Sequence, residues 1–212
     1  MNMGRAPKPP TWRPYHVHMP TTHLLYLHGF RSSPLSNKVR LMQARARERH
    51  PDLHFWCPQL PASPRAAMDL VTQGIAQWPH ATMAVVGSSL GGFYATWVAE
   101  QIGCRCAVLN PVVHAARDLA GRVGTHANWH DASEQFDFLP GYLDELRDLA
   151  VPAITRAERY YALIAKGDEL LDWREMAGHY PGARLRLLEG SDHALSDFAE
   201  WMDEVFDFIG PA

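Results

Sequence analysis

The sequence predicts a three-layer α/β sandwich, with helices on both faces of a mainly parallel sheet of about six strands. Three observations carry that expectation. Six short runs of aliphatic and aromatic residues alternate with helix-length amphipathic segments, the rhythm of strand–helix–strand crossovers. Four of the runs, or parts of them, are nearly continuously apolar, as strands covered on both faces are. A serine between glycines follows the third run and opens a helical segment, a junction that parallel sheets use for chemistry.

Composition agrees with one globular domain. The chain has 212 residues, 47% hydrophobic and 20% charged, and a chain of this size buries roughly 70% of its unfolded surface in a single core. Twenty Lys and Arg against 23 Asp and Glu give a net charge of -3, which offers no polycationic surface for nucleic acid. Cys57, Cys104 and Cys106 are too few for a disulfide framework and read as small buried hydrophobes in a reducing compartment. No stretch of about 18 apolar residues occurs and the N-terminus lacks a secretory apolar region, so the expectation is a cytoplasmic protein with no membrane span.

The elements follow in chain order. Residues 1–20 carry Pro7, Pro9, Pro10, Pro14 and Pro20 and read as a flexible arm; residues 21–212 form the domain. Strands are expected at 22–27, 53–57, 82–87, 105–109, 159–165 and 184–188. Helices are expected at about 37–49, 65–77, 90–102, 140–149, 172–179 and 197–209. Pro64 stands just ahead of the second helix, where a missing N–H costs little. In the fourth, Tyr142, Leu143, Leu146 and Leu149 recur three or four apart. In the last, Phe198, Trp201, Met202, Val205, Phe206 and Ile209 make an inner stripe beneath an acidic outer face. One connection is too long for a plain crossover: residues 111–158, carrying Trp129, Phe136, Phe138 and Tyr142, read as a lid-like insertion.

The third strand ends in Gly87-Ser88-Ser89-Leu90-Gly91-Gly92-Phe93, which matches G-x-S-x-G with Ser89 at its centre. A nucleophile on a tight strand-to-helix turn occupies strained backbone, and its neighbours must be small for the turn to close. The turn lifts the Ser89 hydroxyl off the sheet and aims a helix N-terminus at the reacting oxygen. Leu90 N–H then becomes one oxyanion donor, and Ser88 is a candidate helix cap.

A hydroxyl is a weak nucleophile without a base and an orienting acid. With such a turn the chain order is Ser, then Asp or Glu, then His. Asp168, in Ala165-Lys166-Gly167-Asp168-Glu169, follows the fifth strand, and His193, in Gly190-Ser191-Asp192-His193-Ala194, follows the sixth. Both lie at strand C-terminal ends, where open α/β sheets place their sites. Glu169 and Asp172 are rival carboxylates further into the next turn; Asp192 adjoins the histidine, but adjacency along the chain rarely allows the needed ring geometry. After the first strand comes Leu27-His28-Gly29-Phe30-Arg31-Ser32-Ser33-Pro34. There Gly29 permits a turn that points Phe30 N–H inward as the second oxyanion donor, and His28 organises the loop beside the substrate.

Together the HGF-x-SSP loop, GSSLGGFYATW at the turn, Asn110-Pro111, GDE-x-LD-W-R at 167–174 and the GSDHA loop resemble the YqiA/YcfP family of small bacterial α/β-hydrolase-fold esterases. The resemblance runs from about Thr22 to Ile209. It implies an α/β-hydrolase fold, a triad of Ser89, Asp168 and His193, no cofactor or metal, and small-molecule acyl ester or thioester substrates. The departures are the N-terminal arm and Asp192, where the family has Asn; 111–151 matches weakly. The expected function is therefore a serine esterase working through an acyl-enzyme. An acyl-CoA thioesterase on the same triad is the alternative, and a non-catalytic binding module on the same fold is the reading from another class. Phe136 and Phe138 are expected to line the acyl side of the pocket.

Other features carry less. His126 and His130 have the i,i+4 spacing of a zinc helix but lack its glutamate and a third ligand. Lys38, Arg45 and Arg49 share a face of the first helix, which reads as a solvated face and, for the thioesterase alternative, as a seat for phosphates.

Overall fold

The computed structural model describes residues 19–127 and 135–211. Most of the proline-rich arm, with His16 and His18, lies outside them, as do Trp129 and His130. The elements run β1 (His23–Leu27), α1 (Asn37–Arg49), β2 (His54–Trp56), α2 (Pro64–Ile75), β3 (Met83–Ser88), α3 (Leu90–Ile102), β4 (Arg105–Leu109) and α4 (Ala115–Asp118). They continue with β5 (Gly124–Ala127), β6 (Gln135–Phe138), α5 (Tyr142–Asp148), β7 (Tyr160–Ala165), α6 (Trp173–His179), β8 (Arg184–Leu188) and α7 (Phe198–Ile209).

Six strands form one sheet in the order β2-β1-β3-β4-β7-β8, and every neighbouring pair is parallel. Strand alternation splits the core in two. Leu25 and Leu27 face a layer built with α2, α3, α5 and α6, while Leu24 and Tyr26 face α1 and α7. The order reverses between β1 and β3, and a crevice opens at such a switch point beyond the carboxyl ends of the strands. The register sets those ends level: Leu27 lies opposite Gly87, Ser88 opposite Leu109, and Leu109 opposite Leu163. Thus the loops holding Phe30, Ser89, Asp168 and His193 all emerge on one side of the sheet.

Local signals set the helix limits. The Ser63 hydroxyl accepts from Ala66 N–H, and Pro64 occupies the first turn of α2, where the backbone donors need no helical partner. The basic face of α1 is partly solvated, with Arg49 exposed, but its cations already have partners. Arg45 and Arg49 pair with Asp203 of α7, and Lys38 Nζ donates to Ala194 O at 2.5 Å. The acidic face of α7 is correspondingly engaged, with Glu204 bound by Arg186 and by the Tyr161 hydroxyl.

The long connection between β4 and β7 holds α4, a β5–β6 antiparallel hairpin and α5. The hairpin is absent from the sequence expectation, because Gly-Thr-His-Ala in β5 carries no strand pattern of its own. The connection is anchored by apolar side chains, among them Phe138 and Leu146, and by polar pairs. Glu145 accepts from Ser63 Oγ at 2.7 Å and Arg65 N at 3.0 Å, tying α5 to the start of α2. Arg117 forks onto Glu175 at 2.9 and 2.5 Å, tying α4 to α6.

Candidate active site

Ser89 joins β3 to α3 with φ 56° and ψ -122°, a conformation that L-residues avoid unless their surroundings enforce it. Enforcement comes from three backbone bonds: Ser89 N–H to Leu109 O at 3.0 Å, and Ser89 O from Gly92 and Val112 N–H at 2.9 and 3.0 Å. Among the described residues the other non-glycine positions with positive φ are Arg31, Asn110 and Leu195. All three lie in the loops after β1, β4 and β8, so backbone strain gathers around the serine. The small neighbours are required sterically: a Cβ on Gly91 would lie 2.0 Å from Leu27 O. Ser88 is buried as the last residue of β3, and no side chain caps α3, which corrects the reading of Ser88 as its cap.

The sequence-assigned groups meet in line. Ser89 Oγ lies 3.0 Å from His193 Nε2, and His193 Nδ1 lies 2.7 Å from Asp168 Oδ2. The Asp168 side chain is 0% exposed and that of His193 16%, so the carboxylate is shielded while the imidazole keeps an open edge. The other Asp168 oxygen, Oδ1, accepts from Leu170 and Leu171 N–H, each at 2.9 Å. Those bonds fix the orientation of the carboxylate. The close approach of the acid and base loops depends on Gly167, where a Cβ would meet Ser191 O at 2.6 Å.

The rival carboxylates have other partners. Glu169 Oε2 accepts from His193 backbone N–H at 2.9 Å, and Asp172 caps α6 through Arg174 N–H. Asp192 turns away from the imidazole onto the hydroxyl and N–H of Ser196, at 2.6 and 2.9 Å. Those bonds, the hydroxyl first, hold its carboxyl below the usual range. Asp192 is therefore a loop cap and not a flank of the histidine ring.

The loop after β1 passes directly over Ser89. A Cβ on Gly29 would stand 3.2 Å from Ser89 Cβ and 3.6 Å from its Oγ. Among the described residues neither Phe30 N–H nor Leu90 N–H has an acceptor. His28 is buried, with Nδ1 3.0 Å from Gly29 O and Nε2 accepting from Leu60 N–H at 3.1 Å. Both ring nitrogens thus lie against the main chain, which suits a loop-organising role. The Phe30 ring stands edge-on to His126, Phe136 and Phe138. Phe136 keeps a partly exposed face. Phe138 is 1% exposed, which places it in the core and not on an open pocket wall.

Sequence reasoning left Asn110, Glu169 and Lys38 without roles around the base loop. Asn110 was visible only as an Asn-Pro pair after a strand. Among the described residues no three His, Cys, Asp or Glu side chains gather into a metal-binding group, and no helix is long and apolar enough to cross a membrane.

A model of an uncharacterised protein family, UPF0227, matches residues 23–210. A UPF0227 protein of Yersinia pestis is 23% identical over 190 residues, covering 87% of this chain and 97% of its own. Among solved structures, one reported for the metagenome-derived lipolytic enzymes LipS and LipT is similar with a TM-score of 0.66 at 17% identity, covering 90% of this chain and 94% of that one. Est1E from Butyrivibrio proteoclasticus is similar at 0.63 and 12%, covering 88% and 85%. Mouse α/β hydrolase domain-containing protein 10 is similar at 0.63 and 13%, covering 88% and 90%. These likenesses show an α/β-hydrolase fold.

Proposed function

The chain belongs to the uncharacterised protein family UPF0227, the YqiA/YcfP family that its motifs resemble, and from that premise we propose that it is a serine esterase of acyl esters. The observation that carries the reading is the unbroken relay from Ser89 through His193 to Asp168, at 3.0 and 2.7 Å. Ser89 Oγ attacks the ester carbonyl while His193 Nε2 takes its proton. Asp168 holds Nδ1–H, fixes the tautomer and stabilises the imidazolium. The Phe30 and Leu90 amides receive the oxyanion, each contributing on the order of a hundredfold in rate. His193 then protonates the leaving alcohol, and water repeats the sequence on the acyl-enzyme to release the acid.

The insertion at 111–158 serves as the substrate-facing cover, with Phe136 on the acyl side. An ester is favoured over a coenzyme A thioester because the basic face of α1, the sequence support for a phosphate seat, is engaged by α7 and the base loop. Buried Cys104 and Cys106 thiols suit a reducing cytoplasm.

The test is labelling by a fluorophosphonate, which reacts with an activated serine. Wild type and Ser88→Ala should label and hydrolyse p-nitrophenyl esters; Ser89→Ala should do neither. A folded wild type that neither labels nor turns over esters would bring the binding-module reading forward.

A further inference from the structure

His193 sits in a stretch with no helix or strand of its own, yet a base must be held to within a fraction of an ångström to accept a proton. Its loop is held by side chains from elsewhere. Asn110, just after β4, is 0% exposed and has φ 42°, a left-handed conformation that Asn tolerates better than most residues. Its Nδ2 donates to Asp192 O at 2.9 Å and His193 O at 3.2 Å. Its Oδ1 accepts from Ala165 N–H at 2.7 Å, and Ala165 O in turn accepts from Asp168 N–H at 3.3 Å. The preceding residue, Leu109, accepts from Ser89 N–H at 3.0 Å. From the other side, Glu169 holds His193 N–H at 2.9 Å.

We infer that Asn110, working with Glu169, is a positioning residue that aligns His193 between Ser89 and Asp168 by gripping the main chain of the base loop. The inference rests on the esterase reading and deepens it. A buried amide that only filled space would need any two partners; this one bonds main-chain groups of the base loop and of the last residue of β7, just before the acid loop, and stands next to the nucleophile's own tether. The task requires a donor and an acceptor on one short planar group. Asp keeps the acceptor but turns a second oxygen onto two carbonyls, and Gln carries the amide one methylene too far.

The experiment compares wild type with Asn110→Asp and Glu169→Ala. It reads kcat and KM on a p-nitrophenyl ester, the fluorophosphonate labelling rate, and the downfield NMR resonance of the His193 Nδ1 proton. A displacement of about 1 Å lowers rate by about 100-fold. Folded Asn110→Asp should therefore lose kcat and labelling rate by about that factor, keep KM within about twofold, and show the Nδ1 resonance shifted or broadened. An unchanged kcat, or a loss confined to KM with the resonance unmoved, overturns the inference. Should Asn110→Asp not fold, Glu169→Ala decides at an exposed site: a fall in kcat of about tenfold with a displaced resonance supports the grip, and an unmoved resonance with full kcat refutes it. A wild type inert toward esters and probe refutes the esterase reading instead. The resonance comparison still decides whether Asn110 and Glu169 align His193.

Discussion

Asp168 shows how much of this site depends on single atoms. One oxygen meets His193 Nδ1 at 2.7 Å and the other takes two backbone N–H groups, so neither is available for another task. Asp168→Asn keeps the shape but presents either an amide donor to Nδ1 or an oxygen without the charge that stabilises the imidazolium. Steady-state kinetics should give a kcat about 10,000-fold lower with KM little changed. Glu169 cannot substitute, because its carboxylate holds the His193 backbone N–H and does not face the ring. Adjacent carboxylates in the sequence thus divide into one that orients the imidazole and one that anchors its loop.

At the scale of elements, the strand-to-helix turn is the least tolerant part. α3 approaches the sheet so closely that a Cβ on Gly91 would meet Leu27 O at 2.0 Å and His28 O at 2.7 Å. Both obstacles are backbone, so neither can swing aside. Gly91→Ala should therefore cost about 3 kcal/mol and lower Tm by about 6–12 °C, read by thermal denaturation. Labelling of any folded fraction should fall as well, since the displaced strand carries the loop that covers Ser89. The β5–β6 hairpin is the opposite case. Its strands have a weak pattern, and Phe136 and Phe138 dock it on the Phe30 ring.

Across the whole molecule, the insertion meets the loop after β1 beside the sheet switch point, through the Phe30 ring. Phe136 and Phe138 occupy the same strand but differ in burial, and their truncation should separate accordingly. Phe136→Ala should change the ratio of kcat/KM for long over short acyl esters by about tenfold with the fold intact. Phe138→Ala removes a core ring and should lose about 3–5 kcal/mol of stability in denaturant titration. A Phe136→Ala enzyme with an unaltered chain-length profile would remove that side chain from the acyl pocket.

The sequence by itself determined the alternation of strands and helices. A run such as Met83–Ser88 is buried on both faces, and α7 shows its inner stripe plainly, because periodicity is a local property of the chain. It also singled out Ser89, Asp168 and His193, since a glycine-flanked turn and loops at strand ends are local signals too. Only the tertiary structure decided what the remaining polar residues do. Arg45 and Arg49 meet Asp203 across a helix interface, Asp192 turns to Ser196, and Asn110 bonds Ala165, Asp192 and His193 from far along the chain. No local pattern records such partners. A hydrogen bond depends on which atoms folding brings within about 3 Å, and that is fixed by register, crossover and packing together.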